Sequence, residues 1–68
     1  MKLLKIKDVS ALTSLARATI YKYMKEEAFP KQVNLGANCV AWVESEVLEW
    51  MEEKVALRDL QGGGGVKP

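Results

Sequence analysis

The residue types able to do chemistry gather between Arg17 and Lys25, where the chain reads Arg17-Ala18-Thr19-Ile20-Tyr21-Lys22-Tyr23-Met24-Lys25. A guanidinium such as that of Arg17 can fork onto the O6 and N7 acceptors of guanine. The ammonium groups of Lys22 and Lys25 are mobile point charges, better suited to anchoring phosphates than to reading bases. Thr19 and Tyr21 add hydroxyls that can hydrogen-bond a phosphate, and the Thr19 methyl can meet a thymine methyl. Lys7 and Lys31, on either side in the chain, are candidates for further backbone contacts.

Other chemistry is poorly served. The chain has no histidine and a single cysteine, Cys39, so it lacks an internal disulfide, an imidazole base near neutral pH and a zinc ligand set. A carboxylate or lysine catalyst would need a pocket to shift its pKa, and 68 residues enclose little concave volume. The reading is a protein without catalytic activity, metal or cofactor. No apolar run reaches the roughly 20 residues that span a bilayer, so no membrane partner is expected and a cytoplasmic location is the default.

Charge is distributed unevenly. The net charge is only +1. Residues 1 to 32 nevertheless carry seven Lys or Arg against Asp8, Glu26 and Glu27, a balance of +4. Residues 33 to 68 carry three cations against six carboxylates, a balance of −3. A basic half reads as a phosphate-facing surface, and the acidic half should turn away from a polyanion.

The elements that must position these groups follow from periodicity. Ile6, Val9 and Leu12 recur at three-residue spacing, which predicts a short amphipathic helix over 7–12 with Asp8 in its first turn. Thr13-Ser14-Leu15 breaks the pattern, and a second helix is expected over 17–25 with Ile20 and Met24 on its inner face and Ala18, Lys22 and Lys25 near the outer one. Pro30 ends that helix upstream of itself. Residues 32 to 43 read as a hairpin, with a turn at Gly36-Ala37-Asn38, that packs Leu35 and Trp42 on the helices. A third helix is expected over 44–58, capped by Ser45 or a neighbour, with Val47, Trp50, Met51 and Val55 inward and Arg58 near its end. Trp42 and Trp50 are read as core residues. Four successive glycines, Gly62 to Gly65, end the fold.

Two short helices joined by a tight turn form a helix-turn-helix, and a hairpin beside it is a wing. The fold class is therefore mainly α with a small β-hairpin, a winged helix-turn-helix of order α-α-β-β-α. Residues 1–60 form the single domain, and residues 61–68 are expected as a disordered Gly-rich tail.

The stretch Leu4 to Trp50 resembles the AlpA-type regulators of phage and prophage origin, winged-helix proteins allied to excisionases and to the DNA-binding domains of MerR-type regulators. The resemblance covers about 47 of the 68 residues. It is carried by Ala16-Arg17-Ala18-Thr19-Ile20-Tyr21-Lys22, similar to the family's Ser-Arg-Ser-Thr-Ile-Tyr-Arg, by Phe29-Pro30, by Leu35-Gly36, and by Trp42 followed by Glu44-Ser45-Glu46-Val47 and Trp50. It implies sequence-specific binding of double-stranded DNA, with the second helix in the major groove and the wing on an adjacent groove or backbone. It also implies a role in prophage gene control or excision.

Two departures bear on that implication. Ser14, Leu15 and Ala16 stand where the family commonly has Gly, Leu and Ser, so Ser14 is expected at positive φ and Ala16 leaves the second helix without a hydroxyl cap. At the wing, Asn38 and Ala41 occupy positions where the family often has arginine; Asn38 can hydrogen-bond DNA but brings no charge.

Each assignment has a competing one. The alternative for Arg17, Lys22 and Lys25 is a solvated helix face, and for Tyr21 it is packing against the hairpin. For the whole chain the alternative is a protein-interaction module on the same fold that modulates another regulator without touching DNA. A module this small is expected to act with cooperativity or with a partner such as an integrase, RNA polymerase or another regulator, and to be a monomer or weak dimer in solution.

Overall fold

The computed structural model describes residues 1–62; the glycine-rich end expected as a tail lies, beyond Gly62, outside them. The order is β1 (Leu3–Leu4), α1 (Ile6–Thr13), α2 (Arg17–Lys25), β2 (Val33–Gly36), β3 (Cys39–Val43) and α3 (Glu44–Gly62). The expected winged helix-turn-helix is present, and α2 has the bounds that periodicity assigns.

The hairpin acquires a third strand. β1 pairs antiparallel with β3, Leu3 opposite Val43 and Leu4 opposite Trp42, so β3 lies between β1 and β2. The Glu44 N–H donates to the Lys2 carbonyl at 2.9 Å, so the start of α3 is joined to the N-terminal segment, and no Ser45 cap bond is formed among the described residues.

The core is a cluster of Leu4, Val9, Ile20, Phe29, Trp42 and Val47, ringed by half-buried Leu15, Tyr23, Met24, Trp50 and others. Every element except β2 contributes one member and the loop after α2 contributes Phe29, which is how helices of eight and nine residues, too short to be stable alone, are held. Trp42 is fully buried at the centre. Its Nε1 has no hydrogen-bond partner among the described residues. Burying that donor costs about 1–3 kcal/mol, less than the roughly 4–6 kcal/mol from removing an indole's 150–250 Å² from water.

The polar break between α1 and α2 stitches its own turn. Thr13 Oγ1 donates to the Val9 carbonyl at 2.8 Å and accepts from the Leu15 N–H at 3.2 Å, while Ser10 Oγ donates to the Leu15 carbonyl at 2.6 Å. Ser14 takes the left-handed conformation, φ 65°, as its place in the turn requires. Glu27 does the same at φ 58° beyond α2, where the Ala28 N–H reaches back to the Tyr23 carbonyl at 2.7 Å. That is the six-to-one bond of a Schellman ending, a position usually given to glycine.

Four expectations are corrected. Leu35 is 49% exposed rather than packed on the helices. Its strand shifts register between Asn34 and Gly36, because Asn34 Oδ1 accepts the Gly36 N–H at 3.0 Å, and this local bond breaks the two-residue alternation. Leu12 is at the exposed rim of α1. Val55 is also exposed, since every residue of α3 from Glu52 to Gln61 lies in solvent once the helix passes the core. Finally, α3 runs on to Gly62, so Arg58 is not in the last turn; it pairs with Asp59 at 2.9 Å instead.

Candidate nucleic-acid interface

α2 is oriented by its inner face. Ile20 is fully buried and Met24 half-buried, which leaves Arg17, Ala18, Tyr21, Lys22 and Lys25 exposed and Thr19 at the boundary. Arg17 is the first helical residue. The ion pairs among the described residues are Lys2–Glu44 at 3.9 Å and Arg58–Asp59, so none of the α2 cations is neutralised by a glutamate of α3.

The start of α2 is uncapped. Ala16 occupies the cap with extended backbone, and no side chain satisfies the first-turn N–H groups. Such donors, with the positive end of the helix dipole, favour an anion.

Tyr21 packs against the hairpin without being covered by it. Its ring lies 6.5 Å from that of Trp42 at an interplanar angle of 55°, yet it is 47% exposed on the same helix as the cations. Asn38 is exposed at the hairpin turn with φ 57°, a left-handed conformation that asparagine tolerates better than most residues. Lys7 is exposed in the first turn of α1. Lys31 stands apart from this surface: it lines a groove whose other wall is α3.

A cation that sequence reasoning missed is Lys5. It is exposed at the cap of α1, and its Nζ lies 3.3 Å from Cys39 Sγ, bridging the helix start to the turn end of the wing. No spacing signals this, because the two residues meet only through the β1–β3 pairing. Among the described residues no group of three or more His, Cys, Asp or Glu side chains could hold a metal, and no helix is long and apolar enough to cross a membrane.

Among the described residues, three helices and a small antiparallel sheet with its wing define the class as a winged helix-turn-helix protein. The family model described as prophage CP4-57 regulatory protein (AlpA) matches residues 2–55, and the chain belongs to that regulatory, non-enzymatic family. It is 42% identical over 57 residues to an uncharacterised protein, ORF88, of enterobacteria phage P4, covering 84% of this chain and 65% of that protein. It is 33% identical over 63 residues to the DNA-binding transcriptional activator AlpA of Escherichia coli K12, covering 84% of this chain and 90% of that protein. The chain thus spans about two thirds of the length of the phage relative.

Proposed function

We propose that this protein is a sequence-specific binder of double-stranded DNA, acting as a prophage-type transcriptional regulator or excisionase in the cytoplasm. The observation that carries the reading is the outer face of α2, where Arg17, Lys22 and Lys25 are exposed and make no ion pair among the described residues while Ile20 seats the helix in the core. The relative named as a DNA-binding transcriptional activator supports it.

In this reading α2 enters the major groove. Arg17 and Thr19 lie at its N-terminal end, the end that reads base edges, with Ala18 against the groove wall; Lys22, Lys25 and the Tyr21 hydroxyl hold phosphates. The uncapped N–H groups of the first turn supply a further phosphate contact. The hairpin approaches the adjacent groove or backbone through Asn38, with Lys7 on the flank; Lys31 is the most peripheral member of the set. A module this small binds modestly. It acts with cooperativity at adjacent sites or beside an integrase, RNA polymerase or another regulator, and is a monomer or weak dimer when free.

The test is a titration of duplex DNA against salt. Four or five phosphate contacts give a log-log slope near −4, at roughly 0.9 per contact. Absence of binding at low salt removes the proposal and favours a protein-interaction module on the same fold.

A further inference from the structure

The segment after α2 and the outer side of α3 enclose an open groove of about 790 Å³. Its floor is apolar, built by Phe29, Val33, Trp50 and Leu57. Trp50 is fixed there: its Nε1 donates to the Ala28 carbonyl at 2.7 Å, and the Phe29 ring meets it edge-on at 4.7 Å. The rim is acidic. Glu46, Glu49 and Glu53 recur along one side of α3 at three- and four-residue spacing, and Glu27 faces them from the other wall. Lys31 and Lys54 are the opposing cations, leaving the rim at −2, and the Lys54 Nζ rests 5.2 Å from the centre of the Trp50 ring. None of the four carboxylates makes an ion pair among the described residues.

We propose that this groove docks a cationic amphipathic helix of a protein partner. Its charge selects among occupants. α3 carries six carboxylates against Lys54 and Arg58, a balance of −4, so a second copy meeting it through the same helix sets like charges together, and a nucleic acid is repelled as well. A helix with lysine or arginine along one edge answers the glutamate row, while its apolar stripe covers Trp50 and Leu57. No residue of α2 lines the groove, so the partner sits there while the cations of α2 remain available. The proposal deepens only the protein-partner part of the functional reading, and it is testable on the protein without DNA.

The experiment follows backbone and indole N–H resonances of the full chain at low salt. The titrant is a leucine–lysine peptide of about 18 residues with helical spacing, long enough to form a helix on binding. A matched peptide with glutamate for lysine is the comparison. Saturable shifts at Ala28, Lys31, Glu49, Glu53 and the Trp50 indole are expected with the lysine peptide alone. Glu49→Gln combined with Glu53→Gln, both exposed, should weaken binding roughly fivefold while leaving DNA affinity unreduced. Four results overturn the proposal: no saturable shift, shifts confined to α2 or the wing, equal binding of the glutamate peptide, or undiminished binding by the double variant. Concentration-dependent shifts of the same residues without peptide also overturn it, in favour of a second copy. Loss of DNA binding with peptide binding retained overturns the DNA reading only.

Discussion

The Tyr21 ring rests beside Trp42, centroid to centroid 6.5 Å, so the most exposed aromatic of α2 leans on the most buried one of β3. The surface proposed for DNA is thereby coupled to the centre of the core through this tilted pair as well as through Ile20.

Tyr21→Phe keeps the pair and removes the hydroxyl. Stability should change by under about 0.5 kcal/mol, while DNA affinity falls several-fold, the worth of roughly one hydrogen bond. Tyr21→Ala should lose, in addition, the roughly 0.5–1.5 kcal/mol of the aromatic contact. Urea melts and DNA titrations on both variants separate the two contributions. Unchanged affinity in the phenylalanine variant removes the hydroxyl from the interface.

Arg17 and Lys22 should fail differently. Lys22→Ala should weaken all duplexes alike and reduce the magnitude of the salt slope by about one contact, whereas Arg17→Ala should lose discrimination of roughly 1–3 kcal/mol at one base position. Binding to a panel of single-base variants of a selected site measures both. Identical profiles for the two substitutions would cancel the division into reader and anchor.

Ala16→Ser should restore a hydroxyl acceptor to the uncapped start of α2 and stabilise the fold by about 1 kcal/mol. In a domain this small that is a rise in melting temperature of about 4–8 °C. A calorimetric scan beside the parent decides, and a lower melting point would mean that the serine cannot reach the first-turn N–H groups.

Glu27→Gly should also stabilise, by up to about 1 kcal/mol, because a left-handed conformation at φ 58° strains a residue with a Cβ. Part of the relief is offset by the extra freedom of glycine in the unfolded chain. Denaturant melts measure the net. Destabilisation would show that the Glu27 side chain contributes more than its backbone strain costs.

Much of this architecture is legible in the amino acids. α2 is readable to the residue because Ile20 and Met24 set its phase, and the polar break before it and Pro30 after it bound its extent. The turn before it is readable because Thr13 and Ser14 prefer local hydrogen bonds to continuing a helix. Other features escape for physical reasons. A strand of two residues, Leu3–Leu4, has no period, and only its tertiary pairing with Trp42 and Val43 defines it. Val55 continues the apolar stripe of α3, but nothing stands opposite that part of the helix to bury it. At Glu27 the residue type opposes the conformation that the chain reversal imposes. For the site, residue types locate the cations, whereas Lys5 and the separation of Lys31 from α2 emerge only once the strands and α3 are in place.

The pairing of Leu3 and Leu4 with β3 also sets what trimming the amino terminus would do. Removing those residues strips one flank of β3 and leaves its backbone N–H and C=O groups unmatched, alongside an unfilled hollow over Trp42 where Leu4 belongs. An open strand next to bare hydrocarbon invites another molecule to add itself, so a shortened chain is set up for runaway association rather than for a gentle loss of stability.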